Sequence, residues 1–389
     1  MFWGPSPKTV TEPQTVELFR DLFAAGGCGN DGLMQPGFWR ERGLALERRA
    51  LPLLLATPPA LTRRLGVPPA RVVDGQVLDG QIELLQKLIE LARRPALETL
   101  TPERARLMTG VDYRVLAVRS VRMKRIEDLV VQRGDARIPI RLYVPRRAPR
   151  PAPALVWFHG GGWVTGSIDT HDAPLRFFAK TSGCAVVSVG YRLAPEHRFP
   201  CAVDDVVAVY RFVTEHAAEL GLDARRIGVG GDSAGGNLAA VLCHEARDLG
   251  LARPALQVLV YPVTDLRQSS PSYLTFAQGY LLTAAMMAWF VDHYLGDTAL
   301  ALDPRASPLL SENFSGLPPA LIHTAGFDPL RDEGRAYADR LQSSGVDLSY
   351  RCHTELAHGY WSLARGVRAA YRAIKGLAQT AGSALRGAG

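Results

Sequence analysis

The apolar residues of this chain change their spacing near Arg125. Before that point they recur at helical intervals. Residues 81–94 place Ile82, Leu84, Leu85, Leu88, Ile89 and Leu91 along one face, and 16–25 and 38–55 predict two further helices. A fourth helix is predicted from Thr101, where threonine caps, Pro102 takes the first helical position and Glu103 lies in the first turn. Pro68-Pro69 and Asp74-Gly75 punctuate these segments. Beyond residue 125, short apolar runs alternate with amphipathic stretches. Runs at 129–132, 138–144, 154–158, 185–189, 227–230, 256–261, 320–325 and 348–352 read as strands, and 172–181, 202–216 and 331–341 as helices between them. The middle runs are continuously apolar, as parallel strands covered on both faces must be, so an open α/β sheet is expected.

Composition adds bounds. The 389 residues, 47% apolar and 21% charged, suit one large enzyme domain with an appendage. No apolar run reaches the ~18 residues of a membrane span. Residues 1–8 lack a basic start followed by an apolar stretch, so a cytoplasmic location is expected. Residues 40–64 have the basic and apolar content of a membrane-surface helix but are broken by prolines, which leaves peripheral membrane contact as an open alternative. The net charge of +7 is matched by residues 111–150 alone, with eleven Arg or Lys against four Asp or Glu. Those positions read as solvated strand faces without interleaved aromatics, and no nucleic-acid partner is expected. The five cysteines, odd in number and without a C-x-x-C pair, read as buried reduced thiols and not as a metal site.

The chemistry gathers around Gly231-Asp232-Ser233-Ala234-Gly235-Gly236, between a strand-like 226–230 and a helix-like 237–245. A serine at the apex of such a turn projects its hydroxyl above the sheet, and the following helix aims its free N–H groups at the same point. A G-x-S-x-G alone also fits any tight strand-to-helix turn, so partners decide. At the end of another strand, His159-Gly160-Gly161-Gly162-Trp163 exposes consecutive backbone N–H groups where ligands of open α/β folds bind. With no G-x-G-x-x-G and no Lys-Ser/Thr pair, this run looks like an oxyanion hole and not a nucleotide loop. His358 follows the last strand on a loop and is the candidate base; His353 is its nearest competitor. His323 lies in an apolar strand, and His216, His244 and His293 on helices. Asp328 ends the preceding strand and is the candidate orienting acid, while Asp332 sits a turn further on, better placed as a dipole or solvent-facing acid. The chain order Ser233, Asp328, His358 is that of α/β-hydrolases.

Together with Tyr191-Arg192-Leu193-Ala194-Pro195-Glu196 and Asp328-Pro329-Leu330-Arg331-Asp332-Glu333-Gly334, these segments resemble the bacterial hormone-sensitive-lipase-like carboxylesterases, the family IV esterases, from about residue 73 to the C-terminus. The resemblance implies an α/β-hydrolase fold with a mostly parallel eight-stranded sheet flanked by helices and covered by a helical cap. Residues 1–72 would be an extension of that cap and 73–389 the hydrolase domain, with cap elements at 73–115 and about 270–300. It implies no metal, no cofactor, and hydrolysis of short- to medium-chain acyl esters through an acyl-enzyme. Ser233 would be the nucleophile, His358 the base and Asp328 its orienting acid, with the amides of Gly161, Gly162 and Ala234 receiving the oxyanion. The expected partner is a small-molecule ester, and a homodimer is left open. A non-catalytic small-molecule-binding homologue, or a lactonase, amidase or peptidase using the same three residues, are the alternatives.

Overall fold

The structure is a computed structural model and describes residues 50–57 and 69–387. Its main sheet comprises β1 (Arg125–Arg133), β2 (Ala136–Val144), β3 (Ala152–Phe158), β4 (Ala185–Val189), β5 (Leu222–Asp232), β6 (Gln257–Val260), β7 (Ala320–Phe327) and β8 (Leu348–Ala357), in the spatial order β8-β7-β6-β5-β3-β4-β2-β1. The strands from β3 to β8 run parallel, whereas β2 is antiparallel to both β1 and β4. Every residue of β3, β4, β6 and β7 is buried, which accounts for their unbroken apolar sequences. Alternate residues of β3 feed two cores: Ala154, Val156 and Phe158 face one, Leu155 and Trp157 the other.

The longer helices are α1 (Gly80–Leu91), α2 (Pro102–Leu116), α3 (Ile168–Ser182), α4 (Cys201–Glu215), α5 (Ala234–Asp248), α6 (Ala284–Leu295), α7 (Arg331–Ser343) and α8 (Arg368–Gly387). α4, α5 and α7 pack into the first core, through residues such as Val206, Leu238 and Tyr337. α3 and α8 pack into the second, through Phe178 and Ile374. α1 joins that second core through Ile82, Leu85 and Leu88, and α6 the first through Met287 and Phe290.

Several boundaries differ from the apolar pattern for local reasons. α3 begins at Ile168 and not near 172, because Ser167 and Thr170 cap each other: the Thr170 N–H donates to Ser167 Oγ and the Ser167 N–H to Thr170 Oγ1. β5 begins at Leu222, which pairs with Ala152 ahead of the polar Asp223-Ala224-Arg225-Arg226 that interrupts the apolar run. β8 continues past an irregularity to Ala357, which pairs with Phe327. Of the expected N-terminal helices, 16–25 and most of 38–55 lie outside the described residues; residues 50–55 are helical and bury Leu51 and Leu55. Cys184 and Cys243 are buried as expected, but Cys201 and Cys352 are half-buried, because Cys201 opens α4 and Cys352 lies in β8 at the edge of the sheet; all four are free thiols and Cys28 lies outside the described residues. Among the described residues no helix is long and apolar enough to cross a membrane.

Candidate active site

The parallel strands deliver four chain reversals to one edge of the sheet: after Phe158, Asp232, Phe327 and Ala357. Phe158 pairs with Gly231 and Phe327 with Ala357, so these exits lie at the carboxyl ends, where open α/β sheets bind ligands.

Ser233 occupies the turn from β5 to α5 with φ +57° and ψ −120°, a conformation that costs a non-glycine residue ~1–3 kcal/mol. Its surroundings hold it there. The Ser233 N–H donates to Val260 O at 2.9 Å, and its carbonyl accepts from Asn237 N at 3.0 Å and Val263 N at 3.3 Å. The turn closes only because Gly235 lacks a side chain, since a Cβ there would overlap the Phe158 carbonyl. α5 starts at Ala234, immediately after the serine and three residues ahead of the predicted start at 237, so its unpaired N-terminal amides face the hydroxyl.

His358 Nε2 lies 3.0 Å from Ser233 Oγ, and His358 Nδ1 lies 2.8 Å from Asp328 Oδ2. Asp328 is fully buried, and its Oδ1 accepts from the Leu330 N–H at 2.9 Å, which fixes the carboxylate. The structure therefore brings Ser233, His358 and Asp328 into one line of hydrogen bonds. His353 lies within β8 instead, its Nε2 3.1 Å from His323 Nδ1. Burial drives that pair well below the ordinary histidine range, to about 4 for His353 and about 3 for His323. Asp332 is in the first turn of α7 and pairs with Arg331 at 2.7 Å.

The His159–Trp163 run forms a tight turn beside the serine. Gly161 has φ +120° and Gly162 φ +59°; Gly161 O accepts from the Thr165 N–H at 2.8 Å and Thr165 Oγ1 at 3.0 Å. Among the described residues the N–H groups of Gly161, Gly162 and Ala234 have no protein acceptor. Arg106 of α2 pins this turn by donating to Val164 O and Ala194 O, each at 2.8 Å, while its guanidinium pairs with Glu196. Trp163 stacks on Tyr294 of α6 with centroids 4.2 Å apart.

A buried polar layer supports the turn from below. Asp232 accepts from Trp157 Nε1 at 3.2 Å and faces His171 Nε2 at 3.2 Å. Burial alone would raise its pKa, but these contacts outweigh that and hold it below the ordinary carboxylate value. Burial, with His171 nearby, lowers His159 to about 3, so its ring is neutral where it stacks on Tyr191. Glu333 clamps the next loop: its buried Oε1 accepts from Thr264 N at 2.7 Å and Asp265 N at 3.3 Å, beside Val263, which reaches the site. Burial pushes this carboxyl well above its usual value.

Ser233 and His358 open into a cavity of about 180 Å³, walled by Leu97, Tyr113, Val263, Met287, Phe290 and Leu363. Asp232, Glu196 and Glu333 stand in the motifs quoted above, but nothing in the sequence alone gave them partners. Phe290 and Arg106 carry no motif at all, since each meets the glycine turn from a distant helix.

Residues 155–362, more than half of the chain, match the family described as α/β hydrolase fold. The chain is 46% identical over 244 residues to the carboxylic ester hydrolase LipN of Mycobacterium tuberculosis, an alignment covering 61% of this chain and 65% of that protein. It is 43% identical over 242 residues to the ethyl acetate hydrolase of Pseudomonas putida, covering 60% of this chain and 75% of that one. Among solved structures, an α/β hydrolase enzyme from the metagenome of Lake Arreo superposes with a TM-score of 0.77 at 40% identity, covering 79% of this chain and 98% of that one. With serine, histidine and aspartate joined at the sheet edge and relatives of this kind on every side, the chain belongs to the α/β-hydrolase fold family and, within it, to the hormone-sensitive-lipase-like carboxylesterases.

Proposed function

We propose that this carboxylic ester hydrolase works through Ser233 as nucleophile, His358 as general base and acid, and Asp328 as the group that orients the imidazole. The observation that carries this reading is the hydrogen-bonded line from Ser233 Oγ to His358 Nε2 at 3.0 Å and from His358 Nδ1 to Asp328 at 2.8 Å. His358 takes the serine proton as Oγ attacks the ester carbonyl, and Asp328 holds the tautomer whose Nε2 is basic. The oxyanion is received by the N–H groups of Gly161, Gly162 and Ala234, each such donor being worth ~10²–10³ in rate. His358 then gives its proton to the departing alcohol, leaving an acyl-Ser233. Water, deprotonated by the same imidazole, releases the carboxylic acid and restores the serine.

The substrates we propose are short- to medium-chain acyl esters. The small apolar cavity supports this, as does similarity to an ethyl acetate hydrolase. α2 and α6, which wall the site, and α1, which walls the cavity next to it, are proposed as the cap. A homologue that only bound its ligand would have no use for a base 3.0 Å from the serine hydroxyl.

The test is a panel of nitrophenyl esters from acetate to palmitate, run with and without a serine-directed organophosphate, on wild type and Ser233→Ala. Wild type is expected to hydrolyse the shorter esters and lose activity progressively to the organophosphate. Ser233→Ala is expected to lose at least about a thousandfold in kcat with an unchanged circular dichroism spectrum. Retention of more than a few per cent of turnover would move the nucleophile elsewhere.

A further inference from the structure

Next to the cavity at Ser233 lies a second one of about 220 Å³, and the two share the walls Thr109, Tyr113, Leu281, Ser362 and Leu363. We propose that this second chamber is a subsite for the far end of an unbranched hydrocarbon arm of the ester, reached by passing Leu281. The proposal rests on the ester-hydrolase reading of Ser233.

The remaining walls of the second chamber are almost entirely aliphatic: Leu51, Leu85, Ile89, Val111, Val115 and Leu116. The exception is the Arg94–Asp112 ion pair, at 2.7 Å, whose charges satisfy each other. The chamber at the serine, at about 180 Å³, falls short of the ~300–1,000 Å³ usual for small-molecule sites, and only with its neighbour does the space enter that range. Beyond the second chamber an open groove of about 500 Å³ between α1 and residues 279–281 shares Ile89 and Leu281 with it. That groove is polar, with Arg71, Glu83, Lys87 and Glu90 in its walls. Leu281 thus borders all three spaces, and an arm that starts at the serine and passes it runs through mainly aliphatic surroundings, with Arg94 and Asp112 paired to each other in one wall, before it reaches the polar groove. An aliphatic chain gains along that path, and a charged or strongly branched group does not.

Either side of the ester could supply such an arm, so two series of substrates are needed. In one the acyl chain grows from butyrate to dodecanoate on a nitrophenyl ester; in the other the alcohol grows from ethyl to decyl on an acetate. For whichever arm enters the chamber, wild-type kcat/KM is expected to rise by up to about fourfold per methylene while added methylenes are still being buried. Val111→Phe narrows the second chamber from a position that does not border the first. It is expected to lower the ratio of decanoate to butyrate kcat/KM, or of decyl to ethyl acetate, at least about tenfold. A drop in the acyl ratio places the acyl chain in the chamber, and a drop in the alcohol ratio places the alcohol there. A folded variant that keeps both ratios, or loses equally on short and long esters, overturns the proposal. Should the variant fail to fold, the wild-type series decides, because a rate that falls steeply beyond butyrate and beyond ethyl also overturns it. Failure of wild type to hydrolyse any ester would be a different result, removing the ester-hydrolase reading itself.

Discussion

At Gly162 there is no room for a single added carbon. Its φ of +59° strains any L side chain, and a Cβ would overlap the Phe290 ring. Gly162→Ala should therefore push Phe290 into the site and displace the N–H proposed to meet the oxyanion, lowering kcat/KM by ~10²–10³. Gly345 is the control: its φ is +76° with no atom near the missing Cβ, so Gly345→Ala should cost about 1 kcal/mol in urea unfolding and leave kcat/KM unchanged. Equal kinetic effects in the two variants would detach the glycine turn from catalysis. The two candidate histidines separate in the same way. His358→Ala is expected to abolish turnover, whereas His353→Gln should retain it, because His353 turns its Nε2 to His323 and not to the serine; the reverse result would put the base in β8. These distinctions were legible in part. Ser233, Asp328 and His358 stand out in the sequence because each comes shortly after a strand-like run, and their mutual order is informative. Phe290 over Gly162, and Arg106 holding Val164, join residues far apart in the chain and leave no periodic trace.

Among the elements, β7 and β8 carry a pH dependence that has nothing to do with turnover. His323 and His353 face each other across the two parallel strands, and burial lowers them to about 3 and about 4. In the unfolded chain each would titrate near ~6.5, so between about pH 6.5 and 4 the unfolded state binds more protons than the native one. The stabilisation from keeping them neutral is complete above that range and is lost as pH falls through it, at about 1.4 kcal/mol per pH unit for each histidine. Urea unfolding at pH 7 and pH 5 should show this decline, made shallower by His353→Gln; parallel slopes would remove the pair from the account. Element boundaries show where the apolar pattern stops being informative. The middle strands are legible as continuous apolar runs, and the outer β1, β2 and β8 as alternating ones. The start of α3 depends on the reciprocal Ser167 and Thr170 bonds, and the continuation of β8 on pairing with β7, neither of which is encoded in apolar spacing.

For the molecule as a whole, the question is what the segment before α1 does. Residues 50–57 are stitched to the body: Leu51 and Leu55 are buried, and Gln81 Nε2 donates to Leu55 O at 2.9 Å and to Gly366 O at 2.8 Å, binding this segment to α1 and to the turn before α8. Burial of two leucines is worth ~1.5–3 kcal/mol each, so removing residues 1–69 should lower the melting temperature. The strands and turns that hold Ser233, Asp328 and His358 rest on the two main cores, and the truncated chain should still assemble them. Leu51 also borders the second chamber, so truncation opens the space where the hydrocarbon arm is proposed to lie. The expected outcome is a folded protein that hydrolyses acetate and butyrate esters less efficiently and loses proportionally more on hexanoate and decanoate, because the longer arm then meets water in place of leucine. If these residues only pack against the outside of the domain, stability falls and the ranking of substrates stays as it was. Comparing kcat/KM for acetate, butyrate, hexanoate and decanoate esters on the full chain and the truncation decides between the two, and an unchanged chain-length profile in a folded truncation rules the segment out of the cap.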